Sequence, residues 1–211
     1  MNRAIVIVGA GGHAKVCIEL LRAMGEQIAV CVGTDDSVTA CLGVPVVIGD
    51  SNLSRLRGEG YARLFVALGP NRLRARLAAH ARELGYELVN AISPHAVVSP
   101  SARVGDGVAI MAGVIINADA RIGDLAIINT GASVDHDCII GAAVHLAPQC
   151  ALAGAVEVGD GTFLGIGCKV IPGVVIGAQA TVGAGAVVID DIAAAVTAVG
   201  VPARALTTHT A

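Results

Sequence analysis

Aromatic residues are nearly missing from this sequence: two Phe, two Tyr and no Trp among 211 positions, 2% of the chain. Hydrophobic residues still make up 55%, ample for a core, so the interior must be built from aliphatics, as suits a narrow fold with little room for rings. Charge is sparse as well. A net charge of −3 gives no reason to expect nucleic acid or an anionic membrane surface as a partner. Arg63, Arg72, Arg74, Arg76 and Arg82 do cluster, and they read as a solvated helix face. The apolar run near the N-terminus is too short for a signal peptide's core and far too short to span a bilayer. The expectation is a cytoplasmic protein whose six cysteines, at 17, 31, 41, 138, 150 and 168, are buried free thiols.

What the chain has in abundance is a period of six. Every sixth residue from Val98 through Val104, Ile110, Ile116 and onward to Val182 and Val188 is aliphatic, an unbroken column of sixteen positions. Four residues after each comes a small or β-branched side chain, and Cys138, Cys150 and Cys168 all fall in that compact inward column. A fixed short period is the mark of a solenoid, and a helix with 3.6 residues per turn cannot hold a six-residue repeat on one face. Glycine at 105, 123, 141, 159, 165, 177 and 183 and asparagine at 117 and 129, each just after the aliphatic, read as conformationally permissive residues at one place in the hexad. The pattern predicts a parallel β-helix with three short strands per coil.

Before the column, the pattern alternates. Residues 4–9 read as a buried strand, followed by a Gly-rich turn and a helix to about Met24 that Gly25 ends; a second strand covers 28–32. Further strands are expected at 46–48 and 64–68, with a short helix beginning at Ser51 between them. A helix capped by Asn71 should run to about Leu84, and a last strand should cover 87–92. Alternating strand and helix predicts a small parallel, Rossmann-like βαβαβ sheet. The expected domains are therefore an α/β unit over 1–92 and an all-β unit over 93–211.

Two motifs carry chemistry. Gly9-Ala10-Gly11-Gly12-His13-Ala14 fits G-x-G-x-x-A after a strand, and Asp35-Asp36 follow the second strand, where a dinucleotide fold holds its ribose carboxylate. About ninety residues leave no room for a second half-domain, so the segment suits a mononucleotide: the turn offers N–H groups and a helix N-terminus to a diphosphate. The second motif is Asn129 to Cys138, centred on Asp135-His136-Asp137 and followed by His145. Neither histidine is on an inward column, and two acids flank His136, where they can orient the imidazole and raise its basicity. Gly154 lies eighteen residues after His136.

The column resembles the hexapeptide-repeat acyltransferases, which implies a left-handed parallel β-helix with eighteen residues per coil. From Val8-Gly9-Ala10-Gly11-Gly12-His13-Ala14 through the Asp-His-Asp triplet to Val199-Gly200-Val201-Pro202-Ala203, the chain is similar to bacterial nucleotide-sugar and sialic-acid acetyltransferases. Within them it most resembles the N-acetyltransferases of amino-dideoxy sugars, those acting on GDP-perosamine and on UDP-4-amino sugars. The resemblance implies acetyl-CoA as co-substrate, a nucleotide-activated amino sugar as acceptor and a homotrimer with sites between subunits. It makes His136 the general base and Asp137 the acid supporting it. His145, Gly154, Ile166 and Ala184 match coenzyme contacts, with Ala184 where relatives can have Gly. Gly11, Gly12, His13, Asp35, Asp36 and Gly69 match contacts to the nucleotide sugar, with Gly11 replacing a Ser of some relatives. No metal is expected: a γ-class carbonic anhydrase needs three histidines, and the coils hold two. A structural solenoid of the ice-binding kind would show an outward Thr ladder, which is absent. A sugar O-acetyltransferase of the sialic-acid type remains the alternative, because hydroxyl and amine acceptors use the same base.

Overall fold

The computed structural model describes residues 2–206; residues 207–211, with His209 and the end of the C-terminal tail, lie outside the described residues. The chain forms two compact units, divided between Pro94 and His95.

In the first unit, β1 (Asn2–Val8), α1 (Gly12–Ala23), β2 (Ile28–Gly33), β3 (Ala40–Cys41), β4 (Val44–Ile48), α2 (Asn52–Gly58), β5 (Tyr61–Val66), α3 (Asn71–Glu83), β6 (Glu87–Leu88) and β7 (Ala91–Ile92) follow one another. Six of the strands form one sheet in the order β3-β4-β2-β1-β5-β6. All its pairings are parallel except β3 with β4, a hairpin on the edge that the sequence reading did not anticipate. Ile5, Ile7, Leu64 and Phe65 in the central strands are essentially inaccessible, as are Ile18 and Leu21 of α1, which explains their near-continuous apolar runs. The helix expected to be capped by Asn71 is instead preceded by Pro70 at the N-cap, with Asn71 as its first helical residue. The expected strand over 87–92 breaks into β6 and β7. Arg74 departs furthest from expectation, being 1% exposed rather than part of a solvated face.

The second unit is a left-handed parallel β-helix. Sixteen two-residue strands run from Val97–Val98 to Val187–Val188, each ending on a member of the aliphatic column. They stack on three faces, with partners eighteen residues apart. The first face holds the strands at 97–98, 115–116, 133–134, 151–152, 169–170 and 187–188, the second those from 103–104 to 175–176, and the third those from 109–110 to 181–182. The final turn is shorter: Ile192 bridges to Ile176 and Thr197 pairs with Thr181, both sixteen residues away. Ile192 thus takes a place in the large aliphatic column, not in the compact one that hexad counting gives it. Thr162, the buried polar member of the compact column, donates to Gly177 O at 2.8 Å and accepts from Ala180 N, so its burial leaves no hydroxyl stranded.

The glycines just after the aliphatic are there for a different reason than conformational freedom. Left-handed backbone falls two residues later in the hexad, at Asp119, Leu125, Asp137, Ala143, Gln149 and Ala155 among others. A Cβ on Gly123 would instead lie 2.7 Å from Ala142 N, and one on Gly105 would meet the backbone of Asp124. The next coil passes too close for a side chain.

Candidate active site

In the α/β unit the first pocket forms where the strand order changes direction around β1, outside the C-terminal strand ends, which is where open α/β sheets bind ligands. Gly9 follows β1 with φ +118, and a Cβ there would lie 2.7 Å from Ala67 O, so the turn passes against the end of β5 only because residue 9 is glycine. The cavity of about 310 Å3 is lined by Val8 to Gly11, Val32 to Thr34, Asp50, Leu68, Leu73, Arg76 and Leu77. Of the residues expected to meet a nucleotide sugar, Gly11 lines it. Gly12 and His13 form the first turn of α1, whose leading N–H groups have no acceptor within the helix. Asp35 and Asp36 follow Thr34 on the exposed loop after β2, and Gly69 follows Leu68. Asp35 is already engaged: its Oδ1 accepts from Ser37 Oγ at 2.6 Å and Ser37 N at 3.0 Å, bonds that lower its pKa. Thr34, Asp50 and Arg76 were not expected at the cavity because they come from three separate stretches of the chain, and Arg76 was read as part of a solvated helix face.

The second cluster lies on the β-helix. His136 Nδ1 is 2.8 Å from Asp137 Oδ2. With Nδ1–H donating to that carboxylate, Nε2 carries the lone pair. The His136 pKa is raised, first by the Asp137 hydrogen bond and then by the charge of Asp135. Asp135 is itself fixed: Asn117 Nδ2 donates to its Oδ1 at 2.8 Å, as does His136 N at 2.8 Å, and its pKa is lowered by these bonds. Asn117, which the sequence reading did not place at this site, is eighteen residues before Asp135, so coil spacing could have found it. Gly154 stacks one coil on from His136, and a Cβ on it would lie 2.5 Å from Cε1 and 2.6 Å from Nε2. Among the described residues the Gly154 N–H donates to no protein acceptor. An imidazole, the carboxylate hydrogen-bonded to it and an open amide donor therefore share one corner.

The other expected coenzyme contacts lie elsewhere on the prism. His145 is on the third face, accepting from Asn129 Nδ2 through Nε2 at 3.2 Å and meeting Phe163 edge-on at 5.3 Å. Ile166, 53% exposed, and Ala184 stack at the corner between the third and first faces. The corner of His136 lies between the first and second faces. It is therefore opposite the face that carries His145.

All six cysteines are buried and free. Burial pushes Cys17, Cys31 and Cys168 up to about 12 and Cys150 to about 11, so none of these four is a thiolate nucleophile at neutral pH. Among the described residues no three His, Cys, Asp or Glu side chains are grouped to hold a metal, and no helix is long and apolar enough to cross a membrane.

Residues 4–81 match the PglD N-terminal domain and residues 155–190 the bacterial transferase hexapeptide family of six repeats. A variant of perosamine N-acetyltransferase from Caulobacter crescentus, solved with CoA and GDP-perosamine, is 60% identical, with 97% of each chain covered and a TM-score of 0.95. The chain belongs to the hexapeptide-repeat sugar N-acetyltransferases. The acetyltransferase domain of PglB from Neisseria gonorrhoeae, solved with acetyl coenzyme A, is 38% identical over 98% of this chain and 100% of that one, with a TM-score of 0.91. A UDP-N-acetylbacillosamine N-acetyltransferase of Bacillus subtilis is 42% identical over 112 residues, a stretch covering 51% of either protein. Membership carries with it the chemistry of the family: acetyl transfer from acetyl-CoA to the amino group of a nucleotide-linked sugar.

Proposed function

We propose that this member acetylates the amine of a GDP-linked amino-dideoxy sugar of the perosamine type. The observation that carries the reading is the His136–Asp137 pair, with Nε2 free above the Gly154 amide. His136 Nε2 takes a proton from the sugar amine as its nitrogen attacks the thioester carbon, and Asp137 supports the imidazolium. The Gly154 N–H holds the oxyanion. When the tetrahedral intermediate collapses, the C–S bond breaks and His136 returns its proton to the CoA sulfur. No acyl-enzyme forms, in keeping with the raised cysteine pKa values.

The nucleotide occupies the cavity of the α/β unit, with its diphosphate at the turn of Gly11, Gly12 and His13. Asp35, Asp36 and Gly69 border it. Asp50 supports a guanine base: one carboxylate can accept from both N1–H and the exocyclic N2 amine of guanine, an adjacent donor pair that uracil lacks. His145, Ile166 and the Ala184 backbone hold the coenzyme. Because the His136 corner is opposite the His145 face, one protomer cannot complete a site from its own β-helix. A homotrimer supplies the missing half, each site combining His136 of one copy with the coenzyme corner of the next, and a closed heterologous ring is the assembly this demands. Six buried free thiols fit a reducing, cytoplasmic compartment.

Acetyl-CoA turnover against 4-amino-4,6-dideoxy sugars linked to GDP, UDP and dTDP tests the reading. The GDP sugar should give the highest kcat/KM and an amide product. Preference for UDP would reassign the nucleotide, and an ester product would replace the amine with a hydroxyl.

A further inference from the structure

Behind the cavity wall sits a buried cation. Arg74 of α3, 1% exposed, donates from Nη1 to Leu68 O at 3.0 Å and Gly69 O at 2.7 Å, and from Nη2 to Asn71 Oδ1 at 2.9 Å. Burial lowers its pKa to about 10, which leaves it charged at neutral pH. Desolvating a guanidinium is expensive unless its donors are used, and here they reach two carbonyls of the loop between β5 and α3 and the side chain of the first residue of α3.

The consequence lies on the other side of that loop. A peptide group is planar and trans, so its C=O and N–H point in opposite directions. With the Leu68 carbonyl turned into Arg74, the Gly69 N–H is turned away from it. Among the described residues this N–H donates to no protein acceptor. Residue 70 is proline, so the next peptide offers no N–H at all. Leu68 itself lines the cavity. The guanidinium also acts on α1: after burial, its charge is the second cause lowering His13 at the start of that helix to about 4.

We propose that Arg74 is the positioning residue of the nucleotide-sugar site, locking the Leu68–Gly69 peptide so that the Gly69 amide is presented to an acceptor oxygen of the bound nucleoside diphosphate. This deepens the nucleotide reading of the cavity and rests on it. Lysine cannot reproduce the lock, because one ammonium on a flexible stem does not span two carbonyls and an amide oxygen in a fixed fork.

The test uses the full chain with Arg74→Lys and Arg74→Met, measuring KM for the GDP-linked amino sugar, KM for acetyl-CoA, and GDP binding by calorimetry. Both variants should raise the nucleotide-sugar KM and the GDP Kd by about tenfold or more, the scale of a misaligned hydrogen bond to a charged group, while the acetyl-CoA KM stays within about twofold of wild type. If Arg74→Met does not fold, Asn71→Ala removes one anchor with the cation in place and should raise the nucleotide-sugar KM in the same direction by a smaller factor. A folded Arg74→Lys with wild-type nucleotide KM overturns the proposal, as does an equal rise in both KM values, which is what a general loss of structure gives. Wild-type protein that binds no GDP overturns the reading of the cavity itself.

Discussion

The imidazole of His136 lies over the α-carbon of Gly154, so close that a single methyl there would sit 2.6 Å from Nε2. The neighbour that would clash is the tip of an exposed side chain, 59% accessible, and not backbone. Gly154→Ala should therefore leave the melting temperature nearly unchanged while it pushes the base aside. A displacement of about 1 Å is worth about 10²-fold in rate. The kcat of the alanine variant should fall by that order, and wild-type kcat would mean that the ring has another productive position.

The base itself gives a pH signature. His136 must be neutral to accept a proton, and its pKa is raised, so the acidic limb of the kcat/KM profile should lie above the ordinary histidine value of about 6.5. Asp137→Asn removes the largest cause of that rise and should move the limb to lower pH; Asp135→Asn, the second cause, should move it less. His136→Ala should lower kcat by about 10²–10⁴-fold with little change in either KM. A limb that stays in place in Asp137→Asn would assign the titration to another group.

How much of this was legible without coordinates depends on what fixes each feature. The β-helix was readable because one period governs ninety consecutive residues, and each strand ends on a residue that hexad counting picks out. The function of the post-aliphatic glycines was not, since it is set by a coil nineteen residues further on, as between Gly123 and Ala142. Arg74 looked like its neighbours Arg72 and Arg76 because nothing in composition says which arginine of a helix turns inward. The role proposed for it depends on the carbonyls at 68 and 69 and the side chain of Asn71, which the fold brings to it. Asp135, His136 and Asp137 were visible as a triplet because they are contiguous, whereas the partner that fixes Asp135 is one coil away at Asn117.

His13 makes stability depend on acid. Its pKa is about 4 in the folded protein, through burial and then the Arg74 charge, against 6.5 when unfolded. Between those values the unfolded chain binds the extra proton, so its contribution is intact above pH 6.5 and is lost as pH falls toward 4. At 1.36 kcal/mol per unit the loss is about 3 kcal/mol. Denaturant titrations of wild type and His13→Asn at pH 7 and pH 4.5 should show a steeper fall for wild type; parallel falls would assign the acid sensitivity to other groups.

The proposed sharing of sites between copies has an outcome that a site within one protomer cannot give. His136→Ala removes the proposed base, and Ala184→Trp fills the proposed coenzyme corner, so each variant alone should be nearly inactive. In the proposed ring of three, each site takes His136 from one copy and residue 184 from the next. A trimer with two His136→Ala copies and one Ala184→Trp copy then has one interface at which an intact His136 meets an intact Ala184. The reverse mixture has one as well. Co-expressing the two variants, each with a different affinity tag, and isolating doubly tagged protein should recover about one third of the wild-type activity per trimer. If His136 and the coenzyme corner of the same protomer formed the site, no mixture would contain a protomer with both parts intact, and doubly tagged trimers would be as inactive as their parents.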